Sequence, residues 1–168
     1  MIKSLALLAA VAGASPVGAH AAEAAGAWKV EETASKLDGA TSFVASVESP
    51  DEVSGILDTP KHPNLMVGCT NGRVAVMIDW PDFVGSLGEN HASVRWRMDS
   101  GAIQSTYAFA GTTSAMVEGR DAYKWIDTMA AGHKLVVQVP DRHGGQEATF
   151  AVDGVAPIRD HMREMKCT

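Results

Sequence analysis

A chain of 168 residues with 46% apolar and 20% charged side chains has the composition of one globular domain, which excludes the disordered, collagen-like and disulfide-dense classes. With 14 basic against 20 acidic residues the formal net charge is -6, so the chain carries no electrostatic footprint for nucleic acid or for an anionic membrane surface.

The first residues, Met1-Ile2-Lys3, supply one positive charge, and the stretch from Leu5 to Ala14 is free of charge. Ser15-Pro16-Val17-Gly18-Ala19-His20-Ala21 follows, with the small residues Ala19 and Ala21 spaced as a signal peptidase requires. This is the pattern of a secretory signal peptide over residues 1–21, cleaved after Ala21, since the apolar run falls far short of the ~20 residues of a membrane span. Gly13, Pro16 and Gly18 oppose the alternative, a buried N-terminal helix. Residues 22–27 read as a flexible lead-in, and 28–168 as one domain; no later stretch could span a bilayer as a helix. The mature product is expected to be periplasmic or secreted.

Strands are expected at Trp28 to Glu32 and at Ser42 to Glu48, around a turn at Leu37-Asp38-Gly39. Ser49 to Pro63, with Pro50, Gly55, Pro60 and Pro63, reads as one long loop. Between Asn64 and Trp80 two apolar runs flank Asn71-Gly72, both residues tolerant of the positive φ of a type I′ turn. A two-residue loop then pairs Cys69 with Val74, Val67 with Val76 and Leu65 with Ile78, all on one core-facing side. A second hairpin is expected around Ser100-Gly101, setting Val94, Trp96 and Met98 against Ile103, Ser105 and Tyr107, with Arg95 and Arg97 facing outward beside Gln104 and Thr106. A third pairs Leu135, Val137 and Val139 with Ala148, Phe150 and Val152 through the polar loop Pro140 to Gln146.

Two segments change period. Asp121 is placed to cap a helix in which Ala122, Trp125, Ile126 and Met129 recur at i, i+3, i+4 and i+7, ending at Gly132. Ile158, Met162 and Met165 repeat that stripe in a C-terminal helix with Pro157 near its first turn. The expected fold is therefore mainly β, antiparallel hairpins in a sandwich-like single domain, with two α-helices, one at the C-terminus.

Motifs of chemistry are sparse. His62, His91, His133, His143 and His161 fall in no metal-ligand spacing, and no G-x-S-x-G or phosphate-cradling loop occurs, so no catalytic residue, metal or cofactor is expected. His161, Met162, Met165 and Cys167 are soft ligands in one segment, but Met162 and Met165 continue the stripe from Ile158 and read as packing. Asp141-Arg142-His143-Gly144-Gly145 groups an acid, a base and a histidine, which reads as a solvated hairpin end rather than a catalytic loop. Trp80-Pro81-Asp82-Phe83 reads as a packed strand exit. Arg95 and Arg97 flank Trp96 so that alternation sends both guanidinium groups to one face, where they either grip an acidic partner or serve as a solvent face.

Cys69 and Cys167 are the only two cysteines of a chain marked for export, and oxidising compartments convert such a pair to a disulfide. Cys69 lies on the buried side of the first hairpin, and the C-terminal helix, apolar through Ile158, Met162 and Met165, needs such a side to pack on, which brings Cys167 to it.

The ordered series Trp28-Lys29-Val30, Ser35-Lys36-Leu37-Asp38, Leu65 to Asn71 around Cys69, Val76 to Trp80, Arg95-Trp96-Arg97-Met98-Asp99, Lys134 to Val139, Ala148-Thr149-Phe150 and Cys167 resembles the VasI/TagO family of type VI secretion system-associated proteins. In the strand after the Arg-x-Asp turn that family has a tryptophan and a serine where this sequence has Tyr107 and Ala110, so a role specific to that strand is not carried over. The resemblance implies a small exported protein without enzymatic activity, an accessory of an injection apparatus. The expected function is an exported binding module for an envelope protein partner, with Arg95 and Arg97 as candidate contacts; the alternative is an envelope hydrolase or an inhibitor of one.

Overall fold

A computed structural model describes residues 27–37, 39–85 and 90–167. The signal segment and all but the last residue of the lead-in lie outside the described residues. The fold is mainly antiparallel β with two helices. In chain order it comprises β1 (Lys29–Ala34), β2 (Thr41–Glu48), β3 (Val53–Ser54), β4 (Pro60–Lys61), β5 (Asn64–Thr70), β6 (Arg73–Asp79), β7 (His91–Met98), β8 (Gln104–Ala110), β9 (Ser114–Glu118), α1 (Gly119–Met129), β10 (Lys134–Val139), β11 (Gln146–Ala151) and α2 (Val155–Glu164). Nine strands form one sheet in the order β1-β2-β5-β6-β9-β8-β7-β10-β11; β3 and β4 make a separate two-stranded ribbon.

The β5–β6 hairpin has the expected register, Cys69 opposite Val74, Val67 opposite Val76 and Leu65 opposite Ile78. Its turn is the expected one too, with φ of +52° at Asn71 and +74° at Gly72. The β10–β11 strands pair as expected, but offset by two residues from a match of three apolar residues against three: Leu135 is opposite Phe150, Val137 opposite Ala148 and Val139 opposite Gln146, with Val152 beyond the end of β11.

The second hairpin is shifted by one residue from the expected register. Trp96 faces Gln104 and Val94 faces Thr106, so Thr106 and Ala108 point inward while Ile103, Ser105 and Tyr107 share the outer face with Arg95 and Arg97. The cause is the connection. A turn closes with Gly101 N–H on the Met98 carbonyl at 2.8 Å, Asp99 adopts φ +47°, and the Asp99 carboxylate is drawn to the N–H groups of His133 and Lys134. The partner of each β7 residue therefore comes one position earlier than a two-residue loop at Ser100-Gly101 requires, and in a period-two element one residue exchanges the two faces.

Two further expectations change. Asp121 does not cap α1: the helix follows β9 directly, Glu118 holds the cap position without a side-chain bond, and Asp121 sits in the first turn, where its charge meets the positive end of the helix. The stretch from Ser49 to Pro63 is not a plain loop but carries the β3–β4 ribbon and a turn at Ile56–Asp58.

One side of the sheet is buried along its length. Phe43, Leu65, Val67, Val76, Ile78, Val94, Trp96, Leu135, Val137 and Phe150 meet Ala122, Trp125, Ile126 and Met129 of α1 and Val155, Ile158 and Met162 of α2 in one core. The sheet curls until β11 approaches β2 and β3. Ser49 Oγ donates to the Thr149 carbonyl at 2.8 Å, Thr149 N–H donates to Asp51 Oδ2 at 2.7 Å, and Gln146 exchanges two hydrogen bonds with the Ser54 backbone. Cys69 of β5 and Cys167 beyond α2 form a disulfide, Cα atoms 6.0 Å apart, and the Tyr123 hydroxyl donates to the Cys167 carbonyl. No helix among the described residues is long and apolar enough to cross a membrane.

Candidate functional site

The core consumes one phase of each strand's alternation, and the opposite phase is unusually apolar for a wet face. Met66 of β5 lies opposite Met77 of β6, Met77 opposite Met116 of β9, Met116 opposite Phe109 of β8, and Phe109 opposite His91 of β7. One register position thus carries a row of five side chains across five strands. The row continues physically at its end, where the rings of Phe109 and His91 are 4.8 Å apart.

Beside the row, over β2, β5, β6 and β9, lies a groove of about 680 Å³ lined by Val44, Met66, Gly68, Ala75, Met77 and Met116, with Arg73 and Glu118 among its polar lining. Gly68 is part of its lining, and a Cβ there would stand 3.0 Å from the Phe43 carbonyl of the neighbouring strand, a tight contact that an added side chain would have to displace. Methionine side chains are unbranched and polarisable, which lets such a surface adapt to an apolar partner. Toward β7 the face becomes aromatic and then cationic. Tyr107 is 79% exposed, Ile103 59% and Phe109 49%, and all three are on the outer side because of the shifted register.

Arg95 and Arg97 lie next to them. Both are exposed on the outer face, Arg95 Nη1 donates to Gln138 Oε1 at 2.9 Å, and neither arginine has an ion-pair partner among the described residues. They share a shallow depression of about 190 Å³ with Ile103, Val136, Gln138 and Glu147. The expectation that the two guanidinium groups emerge on one side is met; their neighbours there are Ser105 and Ile103 rather than Gln104 and Thr106.

The Asp141–Gln146 loop differs from a merely solvated hairpin end. Asp141 accepts from Trp80 Nε1 (3.1 Å), Gln146 Nε2 (3.0 Å) and the N–H groups of His143 (2.8 Å) and Gly145 (3.2 Å). Burial pushes its pKa up, but the hydrogen bonds from Gln146, Trp80, Gly145 and His143 outweigh it and hold the carboxyl below the ordinary range. Arg142 donates through Nε to Asp82 Oδ2 at 2.9 Å and through Nη2 to the Gly55 carbonyl and Asp58. Asp82 is fully buried, and His143 Nε2 lies 3.3 Å from its Oδ2. This network ties the β3–β4 ribbon, the exit of β6 and the β10–β11 turn together; its cation is spent on neutralising a buried carboxylate. Of the soft ligands near the C-terminus, Met162 is in the core and Cys167 is committed to the disulfide.

The methionine row and the outward aromatics are the part of the site that sequence reasoning missed. The available signal was double occupancy: β5, β6 and β9 carry apolar residues in both phases, more than one buried face requires.

Fold and site together define a disulfide-closed, mainly antiparallel β domain with an apolar and cationic outer face. No family model and no curated protein matches the chain. Its fold is similar to the crystal structure of invasion associated protein B from Bartonella henselae, with a TM-score of 0.53 at 12% sequence identity, over 86% of this chain and 96% of that one. At that identity the likeness is one of fold.

Proposed function

We propose that this chain is an exported, non-enzymatic module that binds a protein partner in the cell envelope through the outer face of its sheet. The observation that carries the proposal is the outward row of half-buried Met66, Met77 and Met116 and exposed Phe109, running from a groove toward Tyr107 and the two arginines, with no ion pair across it among the described residues. An adaptable apolar centre bordered by arginine and tyrosine is the composition of a binding face. The disulfide between Cys69 and Cys167 supports an oxidising compartment, in keeping with the signal sequence.

One narrower role belongs to the same proposal. The residue series similar to the VasI/TagO family supports an accessory of a type VI secretion apparatus.

Crosslinking from a photoreactive residue at position 77 or 109 of the chain in its native envelope, followed by mass spectrometry, tests the reading. A discrete protein partner captured from both positions is expected. Absence of any captured protein, together with peptidoglycan cleavage by the purified domain, would replace it with the hydrolase alternative.

A further inference from the structure

Three of the stretches that lack ladder partners in the nine-stranded sheet, among the described residues, are treated differently. The outer edge of β1 carries Lys29, Glu31 and Glu32, charges of the kind that keep an edge strand from pairing. The outer edge of β11 is occupied by side chains, the Ser49 hydroxyl on the Thr149 carbonyl and the Asp51 carboxylate on the Thr149 N–H, which take the places of a neighbouring strand. The third stretch lies inside the sheet order. β8 pairs with β9 only at Phe109–Met116 and Ala110–Ala115, whereas it pairs with β7 from Gln104 to Phe109. β9 leaves it because the chain turns into α1 at Gly119, with φ +58°.

The direction of the open groups follows from alternation. Ala110 N–H bonds Asn90 on the β7 side and Gly111 N–H bonds Ser114 on the β9 side, so Ser105 and Tyr107 aim both main-chain groups away from β7, into the gap. The segment Gln104-Ser105-Thr106-Tyr107-Ala108 holds no charge and no proline, the devices that close an edge elsewhere. Its outer side chains, Ser105 and the largely exposed Tyr107, flank the gap; one strand further from it, on β7, Arg95 stands across from Ser105 and donates to Gln138 of β10, with Arg97 beyond it.

We infer that the open β8 edge receives an extended, acidic segment of a protein partner as an added strand, main-chain groups pairing with Ser105 and Tyr107 and carboxylates reaching Arg95 and Arg97. The inference rests on the reading of the chain as a binding module and specifies how that module binds. Strand addition draws affinity from the backbone and specificity from alternate side chains, and here carboxylates at the outer-face positions extend over the small Ser105 toward the exposed Arg95 and Arg97 of β7, which lack an ion-pair partner among the described residues. A second copy fits less well, since antiparallel β8–β8 pairing about a two-fold axis would bring four arginines to one surface.

The probe is a displayed library of random dodecapeptides, selected against the folded chain without residues 1–21. Selected peptides are expected to alternate acidic with β-branched or aromatic residues. Their affinity should fall by at least about tenfold when alternate peptide nitrogens are methylated, and by as much with Tyr107→Pro, which removes an N–H pointing into the gap and leaves the β7 ladder intact. Ser105→Pro provides the same test should Tyr107→Pro not fold, and R95E/R97E should exchange acidic for basic preference. Peptides insensitive to N-methylation and to both prolines, selection of none, or a dimer abolished by Tyr107→Pro would each overturn the inference. Envelope crosslinks from the methionine row that persist in Tyr107→Pro would overturn strand addition alone and leave the binding module standing.

Discussion

Trp96 and Trp125 donate their indole N–H groups to one oxygen, Thr106 Oγ1, at 2.9 and 3.1 Å, with their rings 4.8 Å apart. A hydroxyl has two lone pairs, so one inward threonine satisfies two buried donors contributed by β7 and α1. Thr106→Val preserves shape and removes both acceptors; it should destabilise the domain by about 2–4 kcal/mol, and Thr106→Ser by less than about 1.5. Urea unfolding followed by tryptophan fluorescence measures both, and equal losses would show that packing rather than the shared acceptor matters there.

Removing Arg142 leaves the Asp82 carboxylate buried without its cation. Arg142→Met is expected to cost about 3–5 kcal/mol and to loosen the Ile56–Asp58 turn, because Arg142 also holds the Gly55 carbonyl and Asp58. Arg142→Met with Asp82→Asn should recover part of the loss, since the second change deletes the stranded charge. The two variants compared by denaturant midpoint, with hydrogen exchange over residues 55–59, decide the point.

Two groups give pH dependence of opposite sign. The pKa of Asp141 is depressed in the fold, so its contribution is complete above the unfolded value of about 3.9 and is lost as pH falls through the lower folded value. Asp141→Asn should therefore lower the melting temperature at neutral pH and flatten its acid decline. The pKa of His133 is raised, first by the hydrogen bond to Asp153 at 2.6 Å and then by the charges of Asp153 and Asp99. Its contribution is complete below the unfolded value of about 6.5 and is lost as pH rises through the higher folded one. Titration by NMR should find the His133 ring protonated above that value, and Asp153→Asn should bring it back down.

The disulfide spans 98 positions in sequence, and closing a loop of that size removes about 4–5 kcal/mol of unfolded-chain entropy where the bridge acts as a tether. Reduction, or Cys69→Ala with Cys167→Ala, should lower the melting temperature markedly. Calorimetry with and without reductant measures it; an unchanged melting temperature would show that the core alone holds β5 to the C-terminal segment.

The β5–β6 hairpin was legible in sequence because Asn71-Gly72 fixes both the turn type and the register, and the helices because Trp125, Ile126 and Met129, like Ile158 and Met162, recur on one face. The β7–β8 hairpin was not. Its apolar residues Ile103 and Tyr107 suggest the inward phase, whereas the connection places Thr106 inside, where it accepts from two indoles, one of them on a helix that follows later in the chain. The same slip turned Tyr107 and Phe109 outward and hid half of the candidate site. Asp82 and Arg142, sixty positions apart, share no local pattern, so their pairing is visible only once the sheet brings the two turns together.

Because Cys167 follows every strand and both helices among the described residues, its thiol leaves the ribosome after all of them. Until then Cys69 waits on a hairpin made less than halfway along the chain, its thiol free to react with oxidants and foreign disulfides. The bond therefore acts as a completion mark: a chain truncated before residue 167 cannot acquire it, and its Cys69 remains a free thiol.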